Sequence, residues 1–237
     1  MPVTVVTGGS RGIGAATCLR LARAGHDVAI GYHRDEAAAQ AVAQQVRELA
    51  QRAVIAQVEA AESASLSALF DTAETLGAVT GLVNNAGVIV GRGDFVELSE
   101  ADLRRVIEVN VVGAMLCAQE AIRRMSAGGA IVNVSSGAAT LGSPGEYVHY
   151  AVSKGAIDTL TIGLSKELGP AGIRVNTVSP GVIRTDIHAP GRLERVGPTA
   201  PLGRPGEPEE VAAAIAWLLS DEASYVTGAN IRIAGGR

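Results

Sequence analysis

Cysteine, histidine, charge and long apolar runs are all in short supply in this 237-residue chain. Its two cysteines, Cys18 and Cys117, are too few for a disulfide framework, and both fall inside apolar helical patterns, so they read as small core residues. The four histidines, His26, His33, His149 and His188, are scattered and have no paired cysteine or carboxylate at ligand spacing, which argues against a metal centre. Charged residues make up 19% of the chain, below the usual ~25%, which points to surface hidden between subunits. The 20 basic and 24 acidic side chains nearly balance at a net charge of -4, and no basic cluster stands out, so a nucleic-acid partner is not expected. The longest uninterrupted apolar run, Val211 to Leu219, falls well short of the ~20 residues that a bilayer crossing needs. The opening Met-Pro-Val-Thr carries no basic or apolar export signal. Together these absences predict a cytoplasmic protein with no membrane partner. No Pro/Gly/Ser-rich linker or charge run divides the chain, and at roughly 150 residues per domain a single domain over 1–237 is the simplest reading.

Glycine is what the chain has in excess. Its 29 glycines, well above the typical ~7%, fall at the ends of apolar runs, where tight turns join strands to helices. Short β-branched runs at 3–6, 27–30, 54–56, 81–83, 130–134, 173–176 and 230–233 alternate with helical patterns at 12–24, 36–51, 65–76, 101–125, 147–168 and 208–219. The strands read as continuous apolar runs, as expected where helices cover both sheet faces. Repeated βα units with short connections predict an α/β, doubly wound Rossmann fold with a parallel seven-stranded sheet. Such sheets bind ligands beyond the carboxyl ends of their strands, so the residues after each strand are where chemistry should be sought.

The first of those turns is Thr7-Gly8-Gly9-Ser10-Arg11-Gly12-Ile13-Gly14, and a helix starts inside it. Glycines there let the backbone turn sharply and let N–H groups approach a pyrophosphate. The spacing differs from the Gly-x-Gly-x-x-Gly fingerprint, so the loop alone is also compatible with a tight turn that holds no ligand. Tyr150 and Lys154, four apart on a predicted helix, share a face. An ammonium beside a phenol favours the phenolate and should lower its pKa, and the nearby helix N-terminus should push the same way. Ser136, after the fifth strand, can orient a carbonyl and stabilise developing negative charge, with Ser135 as the competing choice. Asn110 lies in an apolar helix centre, where its amide must find a partner. Taken singly, each has an ordinary explanation in surface packing, capping or core structure.

Together these segments resemble the classical short-chain dehydrogenase/reductase family. The resemblance runs through the glycine loop, Asn84-Asn85-Ala86-Gly87, Asn110, Ser136, Tyr150-x3-Lys154 and Ser179-Pro180-Gly181, in the family's order, and spans essentially the whole chain. The stretch Leu141 to Tyr147 is similar to bacterial members labelled glucose-dehydrogenase-like or 3-oxoacyl-reductase-like. The resemblance implies a reversible oxidoreductase acting on a small-molecule carbonyl or alcohol. Tyr150 would be the general acid/base, Lys154 would also bind the nicotinamide ribose, Ser136 would orient the carbonyl, and Asn110 would hold a water in a proton relay. One departure is the Ser136-to-Tyr150 spacing, a residue longer than in many relatives, which Ser143-Pro144-Gly145 can absorb in a turn.

The resemblance also implies a nicotinamide cofactor. Gly8, Ser10, Arg11, Gly12, Ile13 and Gly14 would hold it in the first turn, Asn85, Ala86 and Gly87 after the fourth strand, and Pro180, Gly181, Ile183 and Thr185 after the sixth. The second strand ends Ile30-Gly31-Tyr32-His33-Arg34, with no acid before Asp35 to bind a ribose 2′-hydroxyl. Arg11 and Arg34 could both face a 2′-phosphate, which favours NADP(H) and leaves NAD(H) as the alternative. Arg34 also reads as a solvated helix-start residue. Glu59 stands where relatives commonly place Asp as the adenine-binding acid, one methylene longer.

Residues 185–202 have no clear period, and an irregular stretch of that length in a compact fold is usually a functional lid, as it is in the family. Glu146, Tyr147 and His149 are candidates for the pocket. His188, Arg192 and Arg195 read either as solvated loop charge or as groups that meet an acidic or polyol substrate. Tyr225 to Gly236 resembles the family's terminal strand, which packs across a two-fold, so a homotetramer is expected, with a dimer as the alternative. Two other functions stay open: a nucleotide-sensing protein without turnover, and an NAD-dependent sugar or alcohol dehydrogenase. The complete Ser136, Tyr150 and Lys154 set argues against the sensor.

Overall fold

The computed structural model describes residues 1–237. Its strands are β1 (Val3–Thr7), β2 (Asp27–Tyr32), β3 (Ala53–Gln57), β4 (Val79–Asn84), β5 (Ala130–Val134), β6 (Arg174–Pro180) and β7 (Asn230–Ile233). They pair in parallel in the order β3-β2-β1-β4-β5-β6-β7. This is the doubly wound, seven-stranded Rossmann sheet that the alternating pattern predicts. The strand order reverses between β1 and β4, so the crevice beyond their carboxyl ends is the topological switch point, where ligands of such sheets bind.

Alternate side chains of the strands feed two cores. Val3 and Val5 of β1 pack with Leu66, Leu69 and Phe70 of α3 (Ser63–Glu74) and with Cys117 of α5 (Gly113–Arg124). Val6 packs on the opposite face with Cys18 and Leu21 of α1 (Gly12–Arg23) and with Val211 and Ile215 of α9 (Pro208–Leu219). Each such large apolar side chain contributes about 1.5–3 kcal/mol through burial. Both cysteines are free and buried, as the reading of small core residues requires. α2 (Glu36–Glu48) ends three residues short of the predicted boundary, where Ala50 adopts a φ of 62°. No helix is long and apolar enough to cross a membrane.

The single helix predicted over 101–125 is broken. The chain forms α4 (Glu100–Ile107), a five-residue π-turn (Glu108–Val112) and then α5. Contacts from distant segments account for the break. The buried Asn110 amide accepts from Val88 N at 2.8 Å and donates to Val88 O at 3.0 Å and to Ser153 Oγ at 3.1 Å. Gly113 brings the helix against the chain after β3, where a Cβ would lie 2.6 Å from Ala60 O. Two short helices were not visible in the sequence pattern: α6 (Ala138–Leu141) after β5, and α8 (Arg192–Val196) in the irregular stretch. The remaining long helix, α7 (Val148–Leu168), carries Tyr150 and Lys154.

Candidate active site

Two adjoining hollows open beyond the strand ends. One, about 610 Å³, lies over β1, β2 and β4; the other, about 430 Å³, lies over β5 and β6 beneath α8. Ile13, Asn85, Gly87 and Thr185 border both, so the two form one cleft.

The larger hollow is shaped by backbone. Gly8 and Gly12 take φ values of +63° and +53°, in the left-handed region that favours glycine. A Cβ on Gly14 would lie 2.1 Å from Gly8 O, so no other residue fits there. Thr7 Oγ1 accepts from the N–H groups of Asn85 and Ala86, both at 3.0 Å. The Asn85 side chain donates to Thr7 O at 2.9 Å and to Gly8 O at 3.1 Å, so it braces the glycine loop from β4. No side chain caps the first turn of α1. Its N–H groups therefore face the hollow unpaired at the positive end of a helix, the arrangement that receives a pyrophosphate.

Polar side chains gather at the far end of this hollow. The nearest acid, Asp35, is engaged as the cap of α2, accepting from Ala38 N at 2.9 Å. Glu59 is also occupied, accepting from His33 Nε2 at 3.0 Å and Arg105 Nη2 at 3.3 Å. Arg11 reaches across the cleft mouth to Asp186 at 2.8 Å, while Arg34 lines the hollow and makes no ion pair. The residues present therefore fit a nucleotide whose pyrophosphate meets the first turn of α1.

In the smaller hollow, β5 delivers the two serines to different tasks. Ser135 is buried and donates to Lys154 O at 3.0 Å, which ties α7 to the sheet. Ser136 lines the cavity together with Tyr150 and accepts from Ala138 N at 3.1 Å. The buried Lys154 Nζ donates to Val134 O at 2.8 Å and lies 5.7 Å from the centroid of the Tyr150 ring. Pro180, Gly181, Ile183 and Thr185 form the opposite wall. Of the predicted catalytic and cofactor-binding residues only Asn110 lies outside both hollows. It stands behind Gly87, where a Cβ would meet Asn110 Oδ1 at 3.3 Å and Lys154 Nζ at 3.5 Å.

The expected acidification of the phenol is absent. Burial pushes Tyr150 up to about 12, against the opposing pull of Ser136 and of the positive Arg192. Burial likewise brings Lys154 down to about 8, with Asp158 opposing. Desolvation outweighs the attraction of the nearby cations.

The lid is pinned by one carboxylate. Glu146 Oε1 accepts from Arg195 at 2.5 Å and Arg92 at 3.1 Å, and Oε2 pairs with Arg192. Although burial opposes ionisation, Arg195 and Arg192 hold Glu146 down to about 2. The Arg192 guanidinium also sits 5.0 Å over the Tyr147 ring. Glu146 and Tyr147 thus line the cavity as the sequence suggested, but His149 does not, since its Nε2 points to Val90 O at 2.5 Å. Arg192 and Arg195, readable as solvated loop charge, are drawn into the wall by a residue more than forty positions earlier.

A glycine cradle at a switch point thus runs on into a wall that carries Ser136, Tyr150 and Lys154. A family model described as Enoyl-(Acyl carrier protein) reductase matches residues 8–237, and the chain belongs to the short-chain dehydrogenase/reductase family. Among individual proteins, it is 48% identical over 247 residues to the uncharacterized oxidoreductase YgfF of Escherichia coli (strain K12), covering 100% of both. It is 40% identical to the cis-4-hydroxycyclohexanecarboxylate dehydrogenase of Sinomonas cyclohexanicum, covering 99% of this chain and 95% of that one. The crystal structure of a short chain dehydrogenase from Burkholderia cenocepacia J2315 in complex with NADP matches with a TM-score of 0.94 at 36% identity, covering 99% and 97% of the two chains.

Proposed function

We propose that the protein interconverts a carbonyl and a secondary alcohol with NADP(H), using Tyr150 as general acid/base. The observation that carries this reading is the convergence of Ser136, Tyr150 and Lys154 on a cavity continuous with the glycine cradle. Gly8 to Gly14 and the first-turn N–H groups of α1 would hold the pyrophosphate, Asn85, Ala86 and Gly87 the ribose side, and Pro180, Gly181, Ile183 and Thr185 the nicotinamide. Bound there, the nicotinamide supplies or takes up the hydride.

The chain's own residues handle the oxygen and its proton. Ser136 donates to the carbonyl oxygen and stabilises the charge that develops on it. Tyr150, kept protonated by its surroundings, passes its proton to that oxygen in the reducing direction and accepts it in reverse. Lys154, held on Val134 O beside the ring, stabilises the phenolate that results. The relay assigned to Asn110 is supported by its closeness to Lys154 across Gly87. The choice of NADP(H) is supported by Arg11 and Arg34 at the far end of the larger hollow and by the engagement of Asp35 in capping α2. Assembly as a homotetramer is supported by exposed apolar side chains on the outer helices, Met115, Val152 and Ile162 among them, and light scattering in solution tests it. The relatives' names disagree over the substrate, one speaking of an acyl carrier protein and another of a hydroxy acid, so the substrate must be read from the cavity.

Tyr150→Phe tests the reading. Turnover of carbonyl substrates should fall by about 10²–10⁴-fold while the NADPH dissociation constant stays within about twofold. Retained turnover would remove Tyr150 from the chemistry. If the parent protein binds NADPH but turns over no carbonyl or alcohol, the sensor reading takes its place.

A further inference from the structure

Resting on the oxidoreductase reading, we propose that the substrate is an oxo acid or hydroxy acid with an apolar body, whose carboxylate is received by Arg192 and Arg195. The charge in the lid is out of balance. Three guanidinium groups, Arg92, Arg192 and Arg195, share the single carboxylate of Glu146, and none makes another ion pair. A carboxylate offers about four acceptor positions, whereas three guanidinium groups present about fifteen donors. The Arg92 and Arg195 side chains are half exposed to water, whereas Arg192 is only 15% exposed and has Glu146 as its one anionic partner. A guanidinium removed from water demands an anion, and a second carboxylate supplies what Glu146 cannot.

The place of that second anion is set by what else Arg192 touches. Arg192 lines the same cavity as Ser136, Tyr150 and His188. Ile89, Leu141, Pro144, Ile187 and Val196 supply an apolar stretch of the lining, and Ser143 and Arg237 add polar groups to it. A ligand that fills this cavity of about 430 Å³ therefore presents a carbonyl to Ser136 and Tyr150, hydrocarbon to the apolar lining, and its anion to α8. Glu146 itself favours a carboxylate over a phosphate, because the arginines already grip a flat, two-oxygen anion.

The test compares acetoacetate, levulinate and 3-oxocyclopentanecarboxylate, each against its methyl ester, with NADPH and the full chain. Each acid that fits should exceed its ester by about tenfold or more in kcat/KM, mostly through KM. In Arg195→Gln, which leaves Arg192 stacked on Tyr147, the acid-to-ester ratio should fall to within about threefold while the NADPH dissociation constant holds. Arg192→Gln should do the same. Esters that match or beat their acids, or a ratio that survives both substitutions, would overturn the proposal. Calorimetry of the same acids on the NADP⁺-loaded protein separates the two readings. Binding that depends on Arg195 without turnover leaves the carboxylate site standing and removes the oxidoreductase reading. Turnover that favours esters does the reverse. A phosphonate analogue that binds more tightly than its acid would assign the arginines to phosphate and also overturn the proposal.

Discussion

At the mouth of β1 the cleft is walled by Gly8, Gly12 and Gly14, by the free first turn of α1, and by Asn85 and Thr7 bracing one loop with the other. Beneath α8 it is walled by Glu146, Tyr147, Arg192 and Arg195, long side chains carried on short and irregular segments. The half proposed to hold the nucleotide is thus made of main chain, which suits a pyrophosphate that does not vary. The substrate half is made of side chains, which can be exchanged without disturbing the sheet. The difference teaches that a substitution in the first half acts through shape, and one in the second through charge.

That contrast can be broken by experiment. Gly14→Ala brings the largest expected effect, because its Cβ would meet the main-chain oxygen of Gly8 at 2.1 Å and neither backbone can yield. We expect a loss of about 3–5 kcal/mol in chemical denaturation, and NADPH binding weakened more than a hundredfold (about 2.8 kcal/mol) in fluorescence titration. A fully stable variant with normal NADPH affinity would show that the cradle is not set by main-chain packing.

The substrate half should answer to pH instead. Glu146 has a folded pKa near 2, below its ordinary value of 4.5, so its contribution is complete above about pH 4.5 and fades as pH falls towards 2. It is worth up to about 3 kcal/mol at neutrality. Glu146→Gln should lower the denaturation midpoint at pH 7, and the gap to the parent should narrow steadily as the medium is acidified. A gap that does not change with pH would detach the lid from its carboxylate.

The smallest effect probes the one edge of the nucleotide half that depends on side chains. Arg34→Ala should weaken NADPH about tenfold, or 1.4 kcal/mol, and leave NADH unchanged. A parent protein that binds NADH more tightly than NADPH would reverse the cofactor preference.

Sequence pattern reaches the nucleotide half and stops short of the substrate half for a physical reason. Each βα turn is decided locally: the glycines at 8, 12 and 14 report the curvature that their own loop requires, and the apolar runs report burial of their own strand. The break at Glu108–Val112 is not local, because it depends on Asn110 meeting Val88 and Ser153, 22 and 43 residues away. The apolar repeat continues on both sides of it and masks the extra residue. The Glu146 junction spans 46 and 49 residues to α8, and nothing in the spacing of Arg192 and Arg195 names their partner. Ser135 and Ser136 are adjacent beyond the end of β5, and only their contacts tell them apart: Ser135 donates to Lys154 O, while Ser136 accepts from Ala138 N. The Tyr-x3-Lys spacing places two groups on one face, yet the sign of the phenol's shift follows from how deeply the packed lid and sheet bury it.

The π-turn beneath Asn110 makes this part of the chain sensitive to length rather than to composition. A π-turn takes in one residue more than an α-turn. Deleting any residue from Glu108 to Val112 would let α4 and α5 anneal into a continuous rod and swing one flank by about 100° against the other. Asn110 would then leave Val88 and Ser153, although every charged group of the cleft would still be present. Among descendants of this chain, insertions and deletions should therefore be rarer at this turn than amino-acid replacements.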